Sequence, residues 1–315
     1  MRRKKSEADI PEYPDIMAYL AALRFRLQGQ ILENLRIASP FFLRTTWPRP
    51  QEYIGRKIIG FERMGKRIVI LFADEMFLVI HLMIAGRLHW RPKGAALSRK
   101  VDLAALDFAD GTLLITEAGS KKRAAMHLIK GREALAAFER GGLDVLQAGL
   151  NEFRERLTIE NHTLKRALTD PSLFDGIGNA YSDEILHAAG LSPTALSRRL
   201  TPEQIERLYH AARKVLAEWT ERLCREAEHR FPEKVTAFRP EMAVHGKTGL
   251  PCPSCGTSIA RIRFADNETN YCPRCQTGGR LLSDRSLARL LRKDWPKTID
   301  EWEEMKKGVL GESVN

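Results

Sequence analysis

Four of the five cysteines in this chain form two tight pairs, C-P-S-C at 252–255 and C-P-R-C at 272–275, with sixteen residues between them. Two C-x-x-C turns joined by a hairpin-length spacer match a structural zinc site. Zinc takes four soft ligands in a tetrahedron, and each C-x-x-C turn supplies two from one knuckle. The spacer, with R-I-R-F-A-D-N-E-T-N-Y at 261–271, fits a hairpin that folds when metal clamps both ends. Four thiolates, from Cys252, Cys255, Cys272 and Cys275, leave no open position, so one structural Zn2+ is expected. The competing readings are four unrelated buried cysteines or a redox pair, and the spacing favours zinc. A ribbon of this kind serves many proteins and does not by itself fix a function.

Charge narrows the partners. Lys and Arg outnumber Asp and Glu by 51 to 40, a formal net charge of +11. Such a balance favours a polyanion, because each Lys or Arg near a phosphate releases a condensed counterion. Residues 1–10, M-R-R-K-K-S-E-A-D-I, start with charge but have no apolar stretch of a secretion signal. The most apolar segment, near 76–85, contains His81 and is too short to span a bilayer. No membrane partner is expected, and the chain reads as cytoplasmic. Cys224, the one cysteine outside the metal pattern, fits that compartment.

At 315 residues, more than one domain is expected. Residues 1–10 read as a disordered leader. Pro14 to about Leu27 reads as a helix, with Ile16, Leu20, Leu23 and Leu27 on one stripe. The segments 31–39, 57–64, 67–73, 76–90, 101–109 and 112–118 are short, β-branched or aromatic, with turns at Ala73-Asp74-Glu75 and Asp110-Gly111. This half, 11–131, reads as an antiparallel β-sandwich or barrel. Residues 132–243 are mainly helical, with helices expected at 133–140, 150–157, 163–168, 180–189 and 202–230, followed by a loop. Thr201 and Gln204 form a capping box at the last helix. The ribbon occupies 244–282, and the tail, 283–315, has a possible short helix at 284–293.

The ribbon has company upstream. P-E-Y-P-D-I (11–16), G-K-R (65–67), H-L-M-I-A-G-R-L (81–88), G-I-G-N-A-Y-S-D-E-I-L (176–186) and F-R-P-E-M-A-V-H-G-K (238–247) occur in that order. From Pro11 to Cys275 the set resembles the formamidopyrimidine-DNA glycosylase/endonuclease VIII family. The resemblance implies an α+β fold: an N-terminal helix plus antiparallel β-sandwich, a helix–two-turns–helix domain, then a zinc finger. It implies DNA in the cleft between the halves, and it implies removal of oxidised bases followed by cleavage of the abasic site. The partner would be double-stranded DNA with damaged bases or abasic sites, met by a monomer in the cytoplasm or nucleoid.

The resemblance also assigns residues. Pro11 matches a proline whose free amine attacks C1′ of the damaged nucleotide, and Glu12 matches the glutamate that helps by proton transfer. Lys66 matches the lysine beside the lesion; its bland alternative is a solvated lysine at a strand start. Ile84 aligns with the wedge methionine, with Met83 just before it, and the alternative is a buried strand. Asn179 follows Gly176 and Gly178 at a helix start suited to phosphate. Lys165 matches a phosphate contact. G-S-K-K-R (119–123), with Lys122, replaces an element that usually carries an aromatic.

Two positions depart from the family pattern. Ten residues precede Pro11, so its nitrogen is a tertiary amide and no nucleophile. Either the active form begins at Pro11, by a later start or by trimming, or the lyase chemistry is lost. Family fingers carry an arginine five residues before the third cysteine, where this chain has Asn267. Asparagine donates a hydrogen bond without charge, so weak or absent δ-elimination is expected; Arg261, Arg263 or Arg274 would substitute only if the hairpin presents them. The loop before F-R-P-E-M also looks shorter than in members that cap 8-oxoguanine. The alternatives are a catalytically impaired damage-binding protein of the same fold and an unrelated zinc-ribbon transcription factor. The latter explains neither P-E-Y-P-D-I nor G-I-G-N-A-Y.

Overall fold

The computed structural model describes residues 11–98, 100–119, 121–233, 235–236, 238–264, 267–283, 296–302 and 304–305. The leader at 1–10 and the short helix expected at 284–293 lie outside the described residues. The chain divides into two compact units, Met1–Gly142 with Leu216–Ala237, and Leu143–Val215 with Phe238–Asn315.

The first unit opens with α1 (Tyr13–Leu27). Pro14 costs nothing in its first turn. The Glu12 backbone N–H donates to Asp15 Oδ2 at 3.0 Å, which fixes the helix start. Eight strands follow: β1 (Asn34–Ile37), β2 (Ile58–Met64), β3 (Arg67–Phe72), β4 (Met76–His81), β5 (Gly86–Arg91), β6 (Asp102–Phe108), β7 (Gly111–Glu117) and β8 (Ala125–Lys130). They build two four-stranded antiparallel sheets, ordered β1-β6-β7-β5 and β2-β3-β4-β8. Asp74 and Glu75 take φ of 60° and 53° at the β3–β4 hairpin, the left-handed backbone a tight hairpin requires. The stripe of α1 joins the sheets in one core, where Ile16, Leu20, Leu23 and Leu27 are almost fully buried.

Three details of this half escaped the sequence. The apolar run 76–90 is not one segment: it bends after His81 and continues as β5 in the other sheet. Strand β8 was not expected, because its apolar residues alternate with His127 and end at Lys130; its register on β4 decides it. The helix expected at 133–140 is α2 (Arg132–Ala136) and stops early. The Phe138 and Glu139 N–H groups reach back only three residues, to Leu135 O and Ala136 O, and Gly141 follows at φ +73°. A chain tightening into a glycine turn leaves the helix.

The second unit carries α3 (Leu150–Thr158), α4 (Leu164–Thr169), α5 (Asn179–Ala189), the hairpin β9 (Ala260–Phe264) and β10 (Asn267–Tyr271), and α7 (Pro273–Thr277). The longest helix, α6 (Pro202–His229), serves both units. Its start has the expected capping box: Gln204 N donates to Thr201 Oγ1 at 3.3 Å, and Thr201 N to Gln204 Oε1 at 3.0 Å. Its last turns bring Leu223 and Ala227, with Phe231 beyond them, into the core of the first unit. No helix among the described residues is long and apolar enough to cross a membrane.

Tyr53 ties the second sheet. Its fully buried hydroxyl lies 2.9 Å from Phe77 O, Ile129 O and Ile129 N, so it bridges β4 and β8 from one side. Tyr53→Phe removes that bridge and strands buried backbone groups. The expected loss is about 1–3 kcal/mol, read as a lower urea midpoint at unchanged slope.

Candidate functional site

One end of the first unit carries Pro11, Glu12, Lys66, Met83, Ile84 and Lys122 among the residues singled out by sequence. Glu12 is the N-cap of α1 and is 1% exposed. Pro11 immediately precedes it and is buried. Arg63, near the end of β2, lies over the Tyr13 ring at 4.2 Å and joins the β2–β3 turn to the first turn of α1. That turn is Gly65-Lys66, with Gly65 at φ +62°. Arg67 pairs with His81, and His81 with Ala125. The Lys66 turn, the residues after His81 and the loop before β8 therefore share this end.

Met83 and Ile84 belong to a turn and not to a buried strand. They occupy the tip between β4 and β5, Met83 at φ +53° and Ile84 exposed. The Gly86 N–H closes the turn on Leu82 O at 2.9 Å. A Cβ at Gly86 would meet that oxygen at 2.2 Å, so only glycine fits.

Lys122 sits in the loop between β7 and β8. Its ammonium donates to the carbonyls of Glu117 and Lys100. The buried Glu117 carboxylate accepts the N–H groups of Arg123 and Ala124 at 3.0–3.2 Å. The loop is thus held by its own side chains, and the Lys122 charge is partly spent on its backbone.

Sequence reasoning gave His81 no chemical part. Burial, then the positive charges of Arg67, Arg140, Lys66 and His127, lower its pKa to about 4. The imidazole is neutral, and the cationic cluster around it is the electrostatic mark of this end.

In the second unit, α5 begins at Asn179 with Gly178 as N-cap and no side-chain cap. Gly176, at φ +79°, makes the preceding turn. Lys165 is held against this helix: its ammonium donates to Asn179 O at 2.6 Å and to Asp183 Oδ1 at 2.5 Å. Asp183 Oδ2 also lies 2.8 Å from His245 Nδ1 and accepts from Asn270 N at 3.1 Å. Its neighbour Glu184 accepts the backbone N–H groups of Ala243, Val244 and His245 at 2.7–2.9 Å. Sequence reasoning assigned Asp183 and Glu184 nothing. Both are in fact buried.

Asn267 opens β10, opposite Phe264. Three arginines of the ribbon have carboxylate partners: Arg261 and Arg263 reach Glu268 Oε2 at 3.3 and 3.2 Å, and Arg274 reaches Asp300 at 3.7 Å. Burial raises the Glu268 pKa, but hydrogen bonds from Asn270 and Arg263 and the charge of Arg261 outweigh it and hold the group ionised.

The ribbon brings its four cysteines together. The ligand atoms of Cys252, Cys255, Cys272 and Cys275 lie within 4.8 Å of one another. The Cys252–Cys275 and Cys255–Cys272 sulfur separations are 3.9 and 3.4 Å. A tetrahedral zinc with Zn–S near 2.3 Å needs sulfurs about 3.8 Å apart, so the donor set fits one closed, structural zinc.

The depressed His81 pKa makes stability depend on pH. The folded value, about 4, lies below the ordinary 6.5, so between these values the unfolded chain binds more protons. This contribution is complete above pH 6.5 and is lost as pH falls towards 4. In His81→Gln, the fall in unfolding free energy between pH 7 and 4 should shrink by on the order of 3 kcal/mol. His127, also lowered, leaves a residual slope. Denaturant titrations at several pH values check this, and an unchanged slope would refute it.

Comparison with known proteins gives this geometry its relatives. The formamidopyrimidine-DNA glycosylase N-terminal domain matches residues 10–120, the H2TH domain of the same glycosylase matches 143–224, and the zinc finger found in FPG and IleRS matches 249–278. An uncharacterized formamidopyrimidine-DNA glycosylase-like protein of Mycobacterium tuberculosis is 40% identical over 152 residues, 48% of this chain and 94% of that protein. The formamidopyrimidine-DNA glycosylase of Thermus thermophilus is 32% identical over 280 residues, 86% of this chain and all (100%) of that protein. The crystal structure of the Lactococcus lactis enzyme, non-covalently bound to DNA containing an AP site, superposes with a TM-score of 0.74 at 26% identity, covering 84% of this chain and 99% of that one. With three matching domains in order and a full-length relative at this identity, the chain belongs to the formamidopyrimidine-DNA glycosylase family.

Proposed function

We propose that the protein removes oxidised or ring-opened bases from double-stranded DNA and then cuts the strand at the resulting abasic site by β-elimination. The observation that carries this reading is the start of α1, where Pro11 and the buried Glu12 precede the turn that Arg63 joins to the Lys66 turn, in a chain of this family. A Pro11 amine attacks C1′, the C1′–base bond breaks, and the base leaves with a proton. The C1′–O4′ bond then opens as O4′ takes a proton, and the iminium left at C1′ draws electrons from C2′. Loss of the C2′ proton then expels the 3′ phosphate. Glu12 carries protons in these steps, and Lys66 holds flanking phosphates.

Met83 and Ile84 fill the stack vacated by the extruded nucleotide. Asn179, at the start of α5, and Lys165 hold the DNA backbone. Lys122 contributes less, since its ammonium already serves its own loop. Asn267 offers a hydrogen bond to the lesion phosphate but no charge, and Arg261, Arg263 and Arg274 are paired with carboxylates, so δ-elimination is weak or absent. The protein works as a monomer on the nucleoid.

With residues 1–10 attached, the Pro11 nitrogen is an amide. The nucleophile therefore requires a chain that starts at Pro11. The same amide favours a second reading, a damaged-DNA-binding protein without lyase activity.

Borohydride trapping on abasic-site duplex separates the two. A chain opened at Pro11 should form a covalent adduct and the chain carrying residues 1–10 should not. Glu12→Gln in the opened chain should trap at least about 10²-fold more slowly. Tight duplex binding with no adduct from either chain would establish the binding protein instead.

A further inference from the structure

The sulfurs of the ribbon are not served alike. Cys275 N lies 3.5 Å from Cys272 Sγ, and Thr257 hydrogen-bonds Cys255. Both donors lie within the ribbon. The donor to Cys252 comes from elsewhere: His187 Nε2 is 3.3 Å from its sulfur, reaching from the last turn of α5. A zinc-bound cysteine is a thiolate with no proton to give, so the ring must donate here. This contact therefore places a proton of the ring on Nε2.

We propose that His187 is an outer partner of the zinc centre: its Nε2–H donates to the Cys252 thiolate, slows loss of the metal and blunts that sulfur as a nucleophile. Four thiolates around a divalent ion leave a net charge of about −2 on the site. That surplus invites protons and electrophiles to the sulfurs. A donor aimed at one of them draws the charge back, as outer partners commonly do for metal ligands.

The placement of α5 makes the contact durable. Gln276 Nε2 donates to Leu191 O at 2.9 Å, just past the helix end, while its Oε1 accepts Cys272 N at 2.8 Å. Each knuckle is thus tied to the end of α5, one through His187 and one through Gln276. The inference rests on the zinc site alone and stands apart from the glycosylase chemistry.

The test uses full-length, metal-loaded protein. His187→Phe keeps a ring of similar size without the donor, and His187→Gln offers an amide donor in its place. Zinc transfer to a chromogenic chelator should be about 10–100-fold faster in the Phe variant and partly restored in the Gln variant. With cobalt in place of zinc, the thiolate-to-metal charge-transfer band should move to lower energy in the Phe variant, a change that packing alone would not cause. Alkylation mapped by mass spectrometry should accelerate at Cys252. A folded Phe variant with native release rate, cobalt band and Cys252 reactivity would overturn the proposal. Should the Phe chain not fold, His187→Met, flexible and without a donor, is read by the same three criteria.

Discussion

Two adjacent carboxylates hold the second unit in register. Burying an ionised acid is costly unless its oxygens are paired and hydrogen-bonded. Asp183 meets this condition with the Lys165 ammonium, the His245 ring and the Asn270 amide, and Glu184 with three consecutive backbone N–H groups. The partners come from α4, from the segment before the ribbon and from β10. One turn of α5 is therefore the point from which Lys165 and the metal hairpin are both positioned. The buried charges are fully partnered.

The first unit relies on burial and sheet pairing. Its α1 stripe and the inner faces of its strands share one core, and the Tyr53 hydroxyl, from the turn before β2, meets the backbone of β4 and β8. The candidate site residues sit where that regularity ends. The Lys66 turn, the Met83–Ile84 tip and the loop after β7 all emerge at the end marked by His81. A rigid sandwich presenting variable turns is the usual arrangement for placing chemistry on a scaffold.

Much of this was legible in the sequence because it is local. The spacing of Cys252, Cys255, Cys272 and Cys275 encoded a zinc site before any fold was known, and the matching zinc-finger domain and clustered sulfurs bear it out. The stripe of α1 and the Thr201–Gln204 box followed from periodicity and capping chemistry. Long-range partners were not legible. Nothing in the local pattern marks Glu184 as the anchor of a segment some sixty residues on, or His187 as a donor to Cys252. Strand β8 was hidden because pairing with β4, and not its own alternation, makes it a strand. The return of α6 to the first unit was hidden as well, since one continuous helical pattern gives no sign of changing neighbours.

Gly86 carries a further consequence. The oxygen that a side chain at this position would strike belongs to Leu82, on the far side of the turn. The backbone loop is thus locked at its base, while Ile84 at its tip is exposed. Met83, at φ +53°, tolerates glycine or asparagine better than a β-branched residue. An engineer who wished to retune this tip would hold Gly86 constant, restrict position 83 by backbone shape, and randomise position 84 freely. The turn is a socket with one interchangeable tool.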